Sequence, residues 1–405
     1  VKVYTYRWVV FWVMALIYFF VYFHRTSPAV LANILMEEFA VTALAVGVLS
    51  SAYFYPYGLM QIPVGYLSDI KGPRLVTTVF TLIAFFGTLL FAFSPTFEVA
   101  ILGRLLIGVG VSGVYIPTIK IISRWFKVDE FATLTGVLFA VGNTGALVSA
   151  YPLAAMTSAF GWRHSFLFIA AVTLVLALSC WILVRDSPEG NVKKIEKKGF
   201  SASFRVVVLN SAIWLIATSA FLRYGIVMGY QGLWGGPYLM DVYGMGREEA
   251  GGVLMTVGFG TIVGAPVIGF LSDKIFRTRK WFLFAAGIGF TLTMLPLVFM
   301  TASLSVIQLY VISFLIGLFS AAGPVAYALV KESFPLEVTG LATSIVNVFP
   351  FFGGAAFQVI MGYLIDSVGM DGNVYPPEAY SLAFLFCLIA SVISSVLILF
   401  VHEKR

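Results

Sequence analysis

The chain has 405 residues, 60% of them hydrophobic and only 11% charged, with a mean hydropathy of +0.97. A soluble domain is about half apolar and roughly a quarter charged, so no water-soluble packing hides this much apolar surface and the bilayer must solvate much of it. The net charge of +6 would suit nucleic acid, but the basic residues fall at the ends of apolar runs, where membrane topology accounts for them. The two cysteines, Cys180 and Cys387, lie singly in apolar runs and read as packing residues, not as a disulfide or a metal pair.

A membrane-crossing helix needs roughly 20 mostly apolar residues. Such runs lie near 8–34, 43–67, 75–94, 98–122, 132–156, 163–184, 207–238, 249–271, 281–301, 304–330, 339–365 and 379–401. All are predicted helical, because backbone polar groups in lipid must bond within the segment. The first run is too long for a signal peptide and leads straight into the others, so it reads as a retained span. Lys2 and Arg7 precede the first span; Lys71 and Arg74 follow the second, Arg124 and Lys127 the fourth. A basic group from Arg185 to Arg205 divides the spans six and six, and more basic residues follow the eighth, tenth and twelfth. The alternate loops carry Glu37, Glu38, Glu98, Glu248, Glu249, Asp371 and Glu378. The positive-inside rule then predicts cytoplasmic termini and a cytoplasmic linker over 186–204, between halves at 1–185 and 205–405.

The halves resemble each other. GYLSD at Gly65–Asp69 matches GFLSD at Gly269–Asp273, each just after the second span of its half. Six spans repeated after about 200 residues is the layout of a transporter with two parallel halves and a substrate site near mid-membrane. The loop after span two reads GYLSDIKGPR, from Gly65 through Asp69 and Gly72 to Arg74, and the second copy reads GFLSDKIFRTRK, with Phe276 in place of the second glycine. This resembles the loop signature of the major facilitator superfamily. The resemblance implies an all-α membrane protein: twelve transmembrane helices in two pseudo-symmetric six-helix bundles. The glycines are expected to let helices approach closely. Asp69 is expected to cap a neighbouring helix or pair with a base, latching one conformer; Asp273 is its weaker counterpart.

Four basic residues sit inside apolar runs: Arg25, Arg104, Lys120 and Arg223. Each costs at least about 2.5–3.5 kcal/mol at a helix centre. Arg25 and Arg223 lie in the first span of each half, 17 residues beyond Trp8 and Val206 respectively. That is roughly 25 Å along each helix, so the two are expected at similar depth, facing across a central cavity. No Asp or Glu occupies the middle of any span; Asp241 and Asp366 lie near outer ends. A small anion is the natural counter-ion, and the planar guanidinium suits bidentate binding of phosphate or carboxylate. Lys120 either joins that anion pathway or snorkels to the inner interface. Tyr22, Tyr53, Tyr57, Gln61, Tyr224, Tyr230, Gln231, Trp234, Asn143 and Asn347 cluster near the expected cavity and could hydrogen-bond a polar substrate. His24 points away from Arg25 and reads as packed and neutral, with proton carriage as the alternative. No metal constellation, Walker loop or catalytic triad occurs, so neither a cofactor nor an enzyme activity is expected.

The segment following Arg223, LRYGIVMGYQGLWGGPYLMDV, resembles the organophosphate:phosphate antiporters, as do the tyrosine-rich approach to Arg25 and the run RDSPEG at Arg185–Gly190. Members of that group carry a basic residue where Lys120 lies; an arginine in a glycine-rich helix, as at Arg104, is read in the wider family as structural or gating. Two positions depart: Thr26 stands where a lysine is usual, and Gly142 and Asn143 where a histidine is usual. The resemblance implies a monomeric secondary transporter of a bacterial inner membrane, exchanging an organophosphate for phosphate. A proton- or cation-coupled carboxylate or sugar-acid symporter is the alternative, and an anion sensor of the same fold is the reading from another class. Its partners would be the anionic substrate, membrane lipid and a coupling proton or phosphate, with no nucleic acid.

Overall fold

A computed structural model describes residues 2–188, 207–276, 278–334 and 336–401. Among them, 12 helices are long and apolar enough to cross a membrane. They run Thr5–Thr26, Ala43–Ile70, Pro73–Ala92, Phe97–Trp125, Asp129–Phe160, Trp162–Leu183, Ser211–Tyr243, Arg247–Phe270, Arg279–Phe299, Val306–Val330, Ala342–Val368 and Pro377–Leu399, spans one to twelve below. Most of the expected linker and its basic cluster lie outside the described residues.

Several spans are interrupted. Span one stops at Thr26 and resumes as a second helix, Pro28–Phe39, with proline at the first helical position, where its missing N–H costs nothing. Span four breaks at Gly113 ahead of Tyr115–Trp125, and span five at Ser149–Ala150 ahead of Tyr151–Phe160. Span seven widens to a π-helix over Tyr230–Trp234, a local form common at functional positions.

The described residues form two compact units. One holds 2–31 and 52–188; the other holds 32–51 and 207–401. Chain order alone places residues 32–51 with the first half. Packing places the far ends of spans one and two, those away from the N-terminus, with the second unit.

Glycine sets the closest approaches. In the first unit a Cβ on Gly103 would lie 2.7 Å from the Phe91 nitrogen and one on Gly87 2.6 Å from that of Ile107, so spans three and four touch backbone to backbone. In the second unit Gly260 and Gly317 do the same for spans eight and ten, against Phe314 and Val257. Small residues at such crossings are how membrane helices gain packing without a hydrophobic driving force.

Candidate functional site

Arg25 closes the last turn of the helix Lys2–Thr26 and is buried. Its guanidinium is boxed by tyrosines. The Cζ atom lies 4.5 Å from the ring centre of Tyr22 and 5.2 Å from that of Tyr57. Tyr53 stacks on Tyr57 at 5.9 Å and is hydrogen-bonded to Arg25. Tyr22 sits three residues before Arg25, on the same helix face. Tyr53 lies in the break in span two and Tyr57 in the first turn of the helix after it, and the Tyr53 hydroxyl donates to the Val21 carbonyl at 2.8 Å. Gly142 on span five leaves room for the box, since a Cβ there would lie 2.9 Å from Tyr18 and 3.0 Å from Tyr22. Aromatic faces desolvate a guanidinium favourably, while its N–H fork stays in the plane that grips an anion.

Behind this box, Arg104 is fully buried; it donates to the His24 carbonyl at 2.8 Å and lies 5.3 Å from the Tyr53 ring centre. It ties span four to the end of span one, just where the helix N–H/C=O ladder is interrupted. His24 is packed against Phe20, Phe23 and Phe166, away from the tyrosine box.

The second unit supplies Arg223. It is partly buried, with its Cζ 5.9 Å from the Phe290 ring centre. Its Nη2 is enclosed yet has no hydrogen-bond partner among the described residues. The neighbouring Tyr224 ring lies 6.0 Å from Phe351. Arg25 lies 20 residues beyond the start of its span at Thr5, and Arg223 lies 12 beyond Ser211, where span seven begins, capped by the Asn210 side chain.

Other candidates are drawn into internal bonds. Asn143 donates to Phe139 of its own helix at 2.9 Å, and Gln61 to Tyr57 at 3.1 Å. Asn347 accepts from the Tyr327 hydroxyl at 2.8 Å, a partner the sequence does not suggest. Tyr230 bonds Ser313 at 2.9 Å, and the Trp234 indole donates to the Gln358 carbonyl at 2.9 Å. Gln231 is buried within the π-turn between them.

Lys120 is placed differently from the anion-pathway expectation. Its Nζ donates to the Gly65 carbonyl at 2.8 Å and to Asp69 at 2.6 Å. The base that holds Asp69 is therefore on span four and not the adjacent Lys71 or Arg74. The glycines of the loop also divide. At Gly65 and Gly269 an added Cβ would meet nothing within 4 Å, so neither serves a close approach, and Gly65 instead offers its carbonyl to Lys120. Gly72 is required twice over: its φ of +87° and ψ of 149° lie in a glycine-only region, and a Cβ would collide with the Asp186 carboxylate. That carboxylate accepts from the Arg74 N–H at 2.7 Å, capping the start of span three, while the Arg74 guanidinium lies over Trp181 and donates to its carbonyl. Sequence reasoning gives Asp186 only as the first linker residue; the need for an acceptor at a helix N-terminus beginning Gly-Pro is the signal that points to it. The side chain of Asp273 lies outside the described residues. A further cross-link, Arg7 to Glu130 at 2.9 and 3.0 Å, has no signal in the spacing of the sequence.

The Lys120–Asp69 pair is half-exposed, so its contribution to stability is small. Its expected effect is on conformational exchange. Asp69→Asn, Lys120→Ala and the double variant should slow turnover to a similar extent, as partners in one interaction do. Substrate affinity should stay within about threefold of the parent, well under the 1.4 kcal/mol of a tenfold change. Equilibrium binding and counterflow on the same preparations check this; a loss of affinity beyond tenfold in Lys120→Ala alone would return that lysine to the anion pathway.

Among the described residues no group of three or more His, Cys, Asp or Glu could hold a metal ion. The family model of the Major Facilitator Superfamily matches this chain over residues 14–301 and 226–405. The probable sulfoacetate transporter SauU of Cupriavidus necator is 25% identical over 387 residues, covering 90% of this chain and 88% of its own. The glycerol-3-phosphate transporter of Bacillus subtilis is 25% identical over 382 residues, with 84% and 82% covered. Among solved structures, a bacterial homologue of the human lysosomal transporter Spinster, inward-facing and unoccupied, superposes with a TM-score of 0.78 at 18% identity, covering 97% of both chains. With twelve apolar spans, a loop signature after span two and a family match running through both halves, this chain belongs to the Major Facilitator Superfamily of membrane transporters.

Proposed function

We propose that this protein moves a small organic anion across the membrane by alternating access, with Arg25 and Arg223 as its charged contacts. The observation that carries this reading is Arg223: an intramembrane guanidinium with an enclosed N–H group that no described residue satisfies. A cation in that setting is costly unless an anion visits it. Arg25, within its tyrosine box, supports the same reading by its geometry.

Exchange of an organophosphate for phosphate is the leading form of the proposal, supported by likeness to the glycerol-3-phosphate transporter. A carboxylate, sulfonate or sugar-acid substrate is the second form. It is favoured by the engagement of Lys120 with Asp69, which takes one cation away from a phosphate dianion, and by likeness to the probable sulfoacetate transporter. By the positive-inside argument the termini are cytoplasmic.

A thermal-shift panel on the purified protein separates the forms, since a ligand that binds the folded state raises its melting temperature by mass action. Glycerol-3-phosphate and inorganic phosphate should both stabilise the protein if exchange is correct; sulfoacetate and hexonates should do so alone under the second form. Neutral glycerol should not. If no anion in the panel stabilises the protein or drives counterflow, the anion reading fails.

A further inference from the structure

We infer that Asp366 and Asp241 form a polar latch that holds the far ends of spans one and two against spans seven, eleven and twelve, and that it must open in every transport cycle. The inference needs only that the protein is a transporter; it does not depend on which anion is carried.

The helix Ala43–Ser51 opens span two, and its first two free N–H groups point at one carboxylate. Ala43 N donates to Asp366 Oδ1 at 3.0 Å and Leu44 N to Asp366 Oδ2 at 2.7 Å. A carboxylate facing a helix N-terminus gains both charge-assisted hydrogen bonds and the favourable end of the helix dipole. The Tyr375 hydroxyl donates to the same carboxylate and accepts from Ala43 N at 3.2 Å. A second carboxylate holds the end of span one: Asp241 Oδ1 accepts from the Asn33 amide at 2.7 Å, and Oδ2 from the Tyr380 hydroxyl at 2.6 Å and the Tyr375 N–H at 3.4 Å. Tyr375 therefore bridges the two acids, and its own pKa is raised by burial and by its bond to Asp366.

Two further observations give the cluster a role beyond local capping. The boundary between the compact units cuts spans one and two at 31/32 and 51/52, so residues 32–51 are covalently continuous with one unit yet packed in the other. The fit is also close. A Cβ on Gly47 would lie 2.6 Å from the Gln358 carbonyl, and one on Gly362 2.9 Å from that of Ala43. Bonds between segments so distant in sequence, joined at a backbone-tight surface, cannot persist if spans one and two are to move as whole helices with the first unit. A polar contact suits this duty. Its donors and acceptors are taken up by water when it parts, so opening and closing differ little in free energy, whereas an equally large apolar contact would resist opening.

The test uses the full chain in lipid nanodiscs, with Ser50→Cys as reporter, Cys387→Ser, and native Cys180 retained. Ser50 is buried in the helix held by the latch and its hydroxyl has no partner among the described residues, so the exchange is mild. Cys180 is buried elsewhere and serves to detect unfolding. Asp366→Ala should raise the rate at which a membrane-impermeant maleimide labels position 50 by about tenfold or more, the change expected for losing charge-assisted bonds in a two-state opening. Tyr375→Phe should raise it less than Asp366→Ala does, because it removes one of three hydrogen bonds to the Asp366 carboxylate and keeps those from the Ala43 and Leu44 N–H groups. Cys180 should stay unreactive in both. Equal labelling of position 50 in parent and Asp366→Ala, or a gain there matched by a gain at Cys180, would overturn the latch.

Discussion

Replacing Arg223 with alanine should abolish transport while leaving the melting temperature unchanged or higher. The two halves of this expectation come from one observation. The guanidinium has no hydrogen bond or ion pair with a described residue, only a ring contact at 5.9 Å and an enclosed Nη2. Removing a partly buried charge that no described residue pairs with removes a desolvation cost, so stability should not fall. Removing the charge that an anion must meet should cost binding heavily: truncating one side of a desolvated charge pair loses about 2–5 kcal/mol, or at least about thirtyfold in affinity. Arg223→Lys should be intermediate, because it keeps the charge and loses the fork. Counterflow in proteoliposomes and melting in detergent, measured on the same preparations, check both parts. Uptake near the parent rate in Arg223→Ala would remove the central support for an anionic substrate. A melting temperature lowered by more than about 5 °C would indicate that Arg223 has a structural partner instead.

Arg25 should respond differently, although its transport defect should be as large. Arg25→Ala removes the centre of a box built from Tyr22, Tyr53 and Tyr57, so both transport and stability should fall. Two cation–π contacts at a desolvated site contribute about 2 kcal/mol or more each, and a cavity beside the break at Ser27 adds to the loss. Arg25→Lys should recover part of the stability and little of the transport, since an ammonium stacks on the rings less well and cannot bind an anion bidentately. Ligand-induced thermal shift separates the two effects: the parent should be stabilised by its anion, and both Arg25 variants should lose that increment whatever their starting temperature. An undiminished ligand-induced shift in Arg25→Ala would place the anion elsewhere.

Both arginines are legible in the linear chain, because a charge inside an apolar run is conspicuous and expensive wherever the helix goes. Their surroundings are not. Tyr53 and Tyr57 reach Arg25 only because span two breaks between Ser51 and Phe54 and turns both rings toward the end of span one. Lys120 illustrates the same limit. Its depth near one end of span four is readable, but whether it faces a substrate or Asp69 depends on a helix crossing that no spacing rule encodes.

The twelve spans, the repeat of six spans and the loop signature follow from local chemistry, since lipid demands continuous apolar helices and basic residues are costly to translocate. These are properties of segments taken one at a time, so the amino-acid sequence alone determined them. Which unit the far ends of spans one and two belong to is a property of pairs of segments. Asp241 and Asp366 look like ordinary span-end acids until folding sets Asn33, Ala43 and Leu44 against them, more than 200 residues away along the chain. Tertiary structure alone decided that, because hydrogen bonds of this length discriminate positions to within a fraction of an ångström, while hydropathy locates a helix only to within a turn.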